Sequence, residues 1–139
     1  MMGINFKSKS GKSGVKALEK AINNYQKELS KENVRRMEQA SIFVEGEAKR
    51  NIKKIKSKEG KLIDTGRMLN SITHEVDTKG NKVRGFVGTN VFYAKYQELG
   101  TQNIPPRPFL RPALLFNRKE VKEILKNGLN SATRKVDKK

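Results

Sequence analysis

Four places in this 139-residue chain hold residue types that could do chemistry. Asp64-Thr65-Gly66 is the tripeptide in which aspartic proteases carry their reactive carboxylate; two such carboxylates share a proton and activate water for peptide cleavage. A homodimer would supply the pair from one copy per chain, and Leu62-Ile63 and Phe86-Val87-Gly88 are compatible apolar surroundings. Arg67 opposes this dimeric aspartic protease reading, because a fixed cation beside Asp64 favours the ionised form over proton sharing. The simpler expectation is structural. Asp64 or Thr65 caps a turn or short helix, Gly66 gives a permissive backbone, and Arg67 reaches outward. Gly11-Lys12-Ser13 ends like a phosphate-binding loop, but that motif needs Gly where Phe6 stands and an apolar strand ahead of it. His74, the single His, has no partnered nucleophile and reads as a core or interface residue. Glu98 near Tyr96 reads as a structural hydrogen-bond hub rather than an acid/base pair. No catalytic residue, no cofactor and no metal site is expected.

Composition narrows the field in the same direction. The absence of Cys removes disulfides, thiol nucleophiles and Cys-based zinc sites, and one His cannot build a His cluster. No apolar run reaches the ~20 residues of a membrane span, and Met1–Lys20 lacks the apolar stretch of a secretory signal. Synthesis in a cytoplasm is the expectation. Lys and Arg number 31 against 14 Asp and Glu, a net charge of +17. Such a field attracts polyanions, whether DNA or acidic protein surfaces. With no recognition helix and no interleaved aromatics, base-specific reading is not expected.

The elements that must position these residues follow from apolar spacing. Residues 1–13 read as a flexible basic arm, 14–136 as one α+β domain and 137–139 as a basic tail. Val15, Leu18, Ile22, Tyr25 and Leu29 form one helical stripe. The stripe slips after Leu29, so Ser30 is expected to cap a second helix running to about Lys56. Val34, Met37, Ala40, Val44, Ala48, Ile52 and Ile55 share its apolar arc, with Ile42 and Phe43 outside it on the basic side. Ser71–Thr78 alternates like a half-buried strand, with Ile72, His74 and Val76 on one face. Val83–Thr89 returns from the turn at 78–81 as a hairpin. Gly85 and Gly88 suggest close backbone approach or a bulge. Val91–Leu99 reads as a short helix ended by Gly100. Residues 101–112 hold all four prolines and form a stiff loop, and Pro112 can open a final helix. The fold class is thus α+β. Helices pack on one face of a small antiparallel sheet, and a proline-rich loop precedes a C-terminal helix. Two strands alone are marginal, so a further strand or a partner should complete the sheet.

Together these residues form an ordered succession. Asp64-Thr65-Gly66-Arg67 is followed by Asn70-Ser71-Ile72. After the hairpin come Val87-Gly88-Thr89-Asn90, Tyr93-Ala94, Tyr96, Glu98 and Gly100-Thr101, and then Pro106, Pro108-Phe109-Leu110-Arg111-Pro112-Ala113. Over about 64–114 this resembles the neck or tail-completion (head–tail joining) proteins of tailed bacteriophages and prophages. Met68 ahead of Leu69 displaces the Leu of that pattern by one place.

The resemblance implies a non-enzymatic virion component of the head–tail junction that forms a ring, a hexamer to match a tail tube. Its partners would be copies of itself, connector or stopper proteins, and tail-terminator or tail-tube proteins. Viral DNA would pass nearby without being read. A ring needs one patch docking on a different patch of the next copy. Arg107, Pro108, Phe109, Leu110 and Arg111 are the expected residues of one side, with Phe109 as anchor, and Ile42 and Phe43 of the other. Replacing Phe109 by Ala is then expected to leave a soluble monomer that fails to enter particles. A non-specific DNA-binding protein is the alternative from another class.

Overall fold

A computed structural model describes residues 11–59 and 65–137. Five helices and one hairpin follow in the order α1 (Gly11–Glu59), α2 (Thr65–Ser71), β1 (Thr73–Lys79), β2 (Lys82–Gly88), α3 (Ala94–Leu99), α4 (Leu110–Leu115) and α5 (Arg118–Asp137). The architecture is α+β, mostly helical with a two-stranded antiparallel sheet.

The expected break at Ser30 is absent, and α1 runs unbroken for 49 residues. No Gly or Pro lies between Val15 and Glu45, and a helical Ser costs only a fraction of a kcal/mol, about 0.5. Side-chain pairs on either side of the junction further support continuity. Lys31 lies 3.7 Å from Glu28, and Arg36 lies 3.0 Å from Glu32. The apolar arc does what its spacing predicts. Ala40, Val44, Ala48 and Ile52 are buried, and they carry the core. Met68, Ile72, Val91, Ala94, Phe109 and Ala113 pack on Val44, Ala48 and Ile52. Burying large apolar side chains of this kind contributes about 1.5–3 kcal/mol each, so α1 is the spine against which α2, the hairpin, α4 and α5 pack.

The first strand opens two residues later than its pattern suggests, because Ser71 ends α2 instead of opening β1, and the returning strand begins and ends one residue earlier. Its register pairs His74 with Val87 and Val76 with Gly85. Gly80, at a φ of 60°, takes the left-handed turn position that a side chain would resist. The close approach foreseen at Gly85 is real. A Cβ there would collide with Ser41 Oγ and Met37 Sδ of α1, so β2 lies directly on the helix. Gly88 has open space instead. Among the described residues no third strand completes the sheet, and α1 backs it from one side.

Two helices stand where one was expected after the proline loop. α4 already begins at Leu110, so Pro112 lies within its first turn and the loop ends at Phe109. Asn117 then separates α4 from α5 by donating its side-chain N–H to the Ala113 carbonyl at 2.9 Å. Val121 of α5 lies beside Ala40 and Val44, while Gly128 lies against Arg36. Chain numbers therefore rise along α5 as they fall along α1, and the two helices pack antiparallel.

Candidate assembly surface

The motif residues converge on backbone. Glu98, on α3, accepts N–H bonds from Phe109 (2.7 Å) and Leu110 (3.0 Å) through one oxygen and from Arg111 (2.8 Å) through the other. Its carboxylate thus occupies the N-terminus of α4, where orphan donors and the helix dipole favour an anion. The Phe109 carbonyl accepts from Asn51 Nδ2 on α1 (3.0 Å), and the Arg107 N–H bonds to the Gln97 carbonyl (2.7 Å). Thr101 Oγ1 accepts from the N–H groups of Asn103 and Ile104. Gly100 closes α3 at a φ of 76°, and a Cβ there would meet the Pro106 nitrogen and the Ile104 carbonyl at under 3 Å. A second clamp joins α2 to the end of β2. The Val91 N–H donates to Thr89 Oγ1 (3.1 Å), and Ser71 Oγ donates to the Met68 carbonyl (2.7 Å). The remaining Thr89 hydroxyl proton goes to Ser71 Oγ. Every donor in this relay finds an acceptor.

Asp64 lies outside the described residues, as do the backbone and side chains of 1–10. Thr65 opens α2, while Gly66 and Arg67 are exposed in its first turn. Tyr93 is half-buried with Phe92 edge-on against its ring, and Tyr96 is exposed beneath the Lys95 ammonium.

His74 joins the hairpin to α1. Its Nδ1 bonds Glu45 and its Nε2 bonds Glu38 at 3.0 Å. Two carboxylates face two ring nitrogens, an arrangement that favours the protonated ring, in which both nitrogens donate. The bond to Glu45, then that to Glu38, raise its pKa above the ordinary 6.5 against a smaller opposing effect of burial. Burial pushes Glu45 upward, but bonds and charges from Lys49 and His74 together leave it below 4.5. Neither acid was singled out from sequence. The available signal was their spacing of seven residues, two turns of α1 on one side.

The expected interface residues divide. Phe109 is fully buried in the chain's own core and is not offered to a neighbour. Three bonds to Glu98 and one to Asn51 of α1 fold the loop back and hold the ring in the core. Arg107 and Leu110 are half-buried, while Pro108 and Arg111 are exposed. Ile42 is exposed, whereas Phe43 leans on the core. An apolar groove of about 450 Å³ runs between α1, β2 and α4, with Met37, Val44, Phe86, Leu114 and Leu115 in its walls and Arg111 among its lining residues. Phe86, Leu114 and Leu115 are each 44–52% exposed there. A separate set, Phe92, Tyr96 and Leu99, projects from α3 and the turn before it at helical spacing, and Leu99 is 75% exposed. Large apolar side chains left outside in such sets mark contact surfaces. Among the described residues no group of three acids or histidines could hold a metal ion, and no helix is long and apolar enough to cross a membrane.

The family described as “Bacteriophage HK97-gp10, putative tail-component” matches residues 16–100, more than half of the chain. That span covers most of α1 and everything through the end of α3 at Gly100. Comparison with curated proteins and with solved structures gives no match.

Proposed function

We infer the role of this chain from its family: it belongs to the HK97-gp10-like family of bacteriophage tail components. Within that family we assign it to the head–tail junction, where it acts in tail completion or neck assembly. It is a structural part of the virion, with no catalytic step. Copies associate head to tail into a ring, a hexamer, seated between connector or stopper proteins and the tail-terminator or tail-tube proteins, with viral DNA passing nearby.

The observation that carries this reading is the presence of two unlike apolar patches on one chain. The groove walled by Phe86, Leu114 and Leu115 is concave, and the α3 set of Phe92, Tyr96 and Leu99 stands exposed outside it. A ring requires such a heterologous pair, because a self-complementary patch closes into a dimer instead. The loop supports the pairing indirectly: its clamps hold α3 and α4, which carry the two patches, in fixed relation. Ile42, Pro108 and Arg111 remain candidate contacts at the margin. Phe109 sets the shape from within.

Deleting the gene in a phage that carries it should leave DNA-filled heads and separate tails. Complementation by the wild-type chain should restore joined particles. Normal joining without the chain would refute the assignment.

A further inference from the structure

We propose that the solvent face of α1 is a docking ridge for the phosphate backbone of duplex DNA, bound without regard to sequence. Lys16, Lys20, Lys27, Lys31, Arg35 and Lys53 follow one another at steps of 4, 7, 4, 4 and 18 residues, each close to a whole number of helical turns. All six are exposed. At about 1.5 Å per residue they mark a line roughly 55 Å long, the length of about 16 base pairs. They spread over about 100° of the helix surface, centred roughly 110° from the buried line of Ala40, Val44, Ala48 and Ile52, and each is left exposed by the elements packed on α1.

The acids near this line are occupied by partners within the chain. Glu38 and Glu45 hold His74, Glu45 also holds Lys49, and Glu32 is buried on Arg36. Lys31 and Arg35 stand 3.7 and 3.9 Å from Glu28 and Glu32, surface pairs three residues apart that bind their cations weakly. The ridge therefore presents six exposed cations, densest from Lys16 to Arg35, with Ile42 and the 48% exposed Glu38 in the gap before Lys53.

The chemistry of the line selects nucleic acid over an acidic protein face. Protein interfaces take most of their energy from aromatic and apolar anchors and are depleted in Lys. This ridge has five lysines among its six cations, and Ile42 is the one large exposed apolar side chain on it. A lysine ammonium is a point charge on a flexible stem, suited to a repeating phosphate and indifferent to base identity. No aromatic side chain of α1 projects along the line for stacking on a base.

The test needs the purified chain and duplexes of 20 base pairs in two unrelated sequences, followed by fluorescence anisotropy from 50 to 200 mM salt. It does not involve particle assembly, so its failure would leave the tail-component reading untouched. Both sequences should bind alike, with log K falling against log salt at a slope of about −4 to −5, as for roughly five phosphates. The variant K20Q/K27Q/K31Q/R35Q should bind at least tenfold more weakly at 50 mM salt, with the slope reduced by about 3 to 4. K79Q/K82Q/R84Q/K122Q removes four exposed cations elsewhere and should change affinity less than threefold. Equal losses in the two variants would overturn the ridge, because overall charge would then explain binding. Failure of the wild-type chain to bind duplex at 50 mM salt would overturn it too, as would tighter binding to polyglutamate of matched charge. Circular dichroism of both variants confirms that the comparison is between folded proteins.

Discussion

Glu98 serves three backbone N–H groups with one carboxylate, so its loss should be felt well beyond its own position. Glu98→Ala leaves the start of α4 without acceptors and should cost about 2–3 kcal/mol in urea-monitored stability. Glu98→Gln keeps an acceptor oxygen and should lose less. Phe109→Ala should destabilise by about 3–5 kcal/mol, because a fully buried ring leaves a cavity. It should therefore unfold or aggregate, and would not give the soluble, assembly-defective monomer that an exposed anchor would give. His74 makes stability depend on pH. Its folded pKa is raised, so its contribution is complete below about 6.5 and is lost as pH climbs through the raised native value. Glu45 works at the other end: its lowered pKa gives stability present above 4.5 that is lost as pH falls through the native value. The thermal midpoint should drop from pH 6 toward pH 9 in the wild-type chain. The decline should be shallower in His74→Gln, with the imidazole titration followed by proton NMR. At this scale composition and motif spacing pointed to the residues that matter but not to what they touch. Glu98 was readable as a hub, yet its acceptance from three successive N–H groups depends on a loop path that no local pattern encodes. Phe109 looked like an anchor because proline-flanked aromatics at a surface often are. What buries it is the core built on Val44, Ala48 and Ile52 of α1, with Asn51, 58 residues away in sequence, holding its carbonyl.

The elements were more readable than the residues, since periodicity reports which face is buried. The arc from Ala40 to Ile52, the hairpin and the stop at Gly100 all follow from spacing and backbone chemistry. Two of the boundaries that moved did so for reasons of competing strength. At Ser30 a weak capping preference lost to continuous helix formers and side-chain pairs. At Asn117 a side chain bonding back to Ala113 divided a stripe that looked continuous. Close approaches give the sharpest tests here. Gly100→Ala combines a disfavoured φ with backbone contacts and should cost about 2–4 kcal/mol. A lower urea midpoint at unchanged slope would record it. Gly85→Ala pushes β2 off Ser41 and Met37 and should cost about 1–3 kcal/mol. Faster amide exchange should then appear in the hairpin while α5 stays protected. Equal exchange in both would mean that the hairpin does not open on its own.

At the scale of the molecule, two apolar patches and one long basic ridge are formed by different residues, so they can be altered separately. Leu114→Asp with Leu115→Asp charges the wall of the groove while sparing the buried core. Both are 44–48% exposed, so the cost to folding should stay below about 1 kcal/mol. Particle joining should nevertheless fail in a complementation assay, and a normal yield would remove the groove from the interface. Sequence alone did not reveal the groove, because its walls come from three elements that meet only after folding. The antiparallel union of α1 with α5 has one more consequence. It brings residues near 27 and near 137 toward the same pole, so tension applied between them would prise the two helices apart turn by turn. In an optical trap such unzipping should yield at low force, whereas anchoring at residues 59 and 137 would load the seam in shear and make it hold.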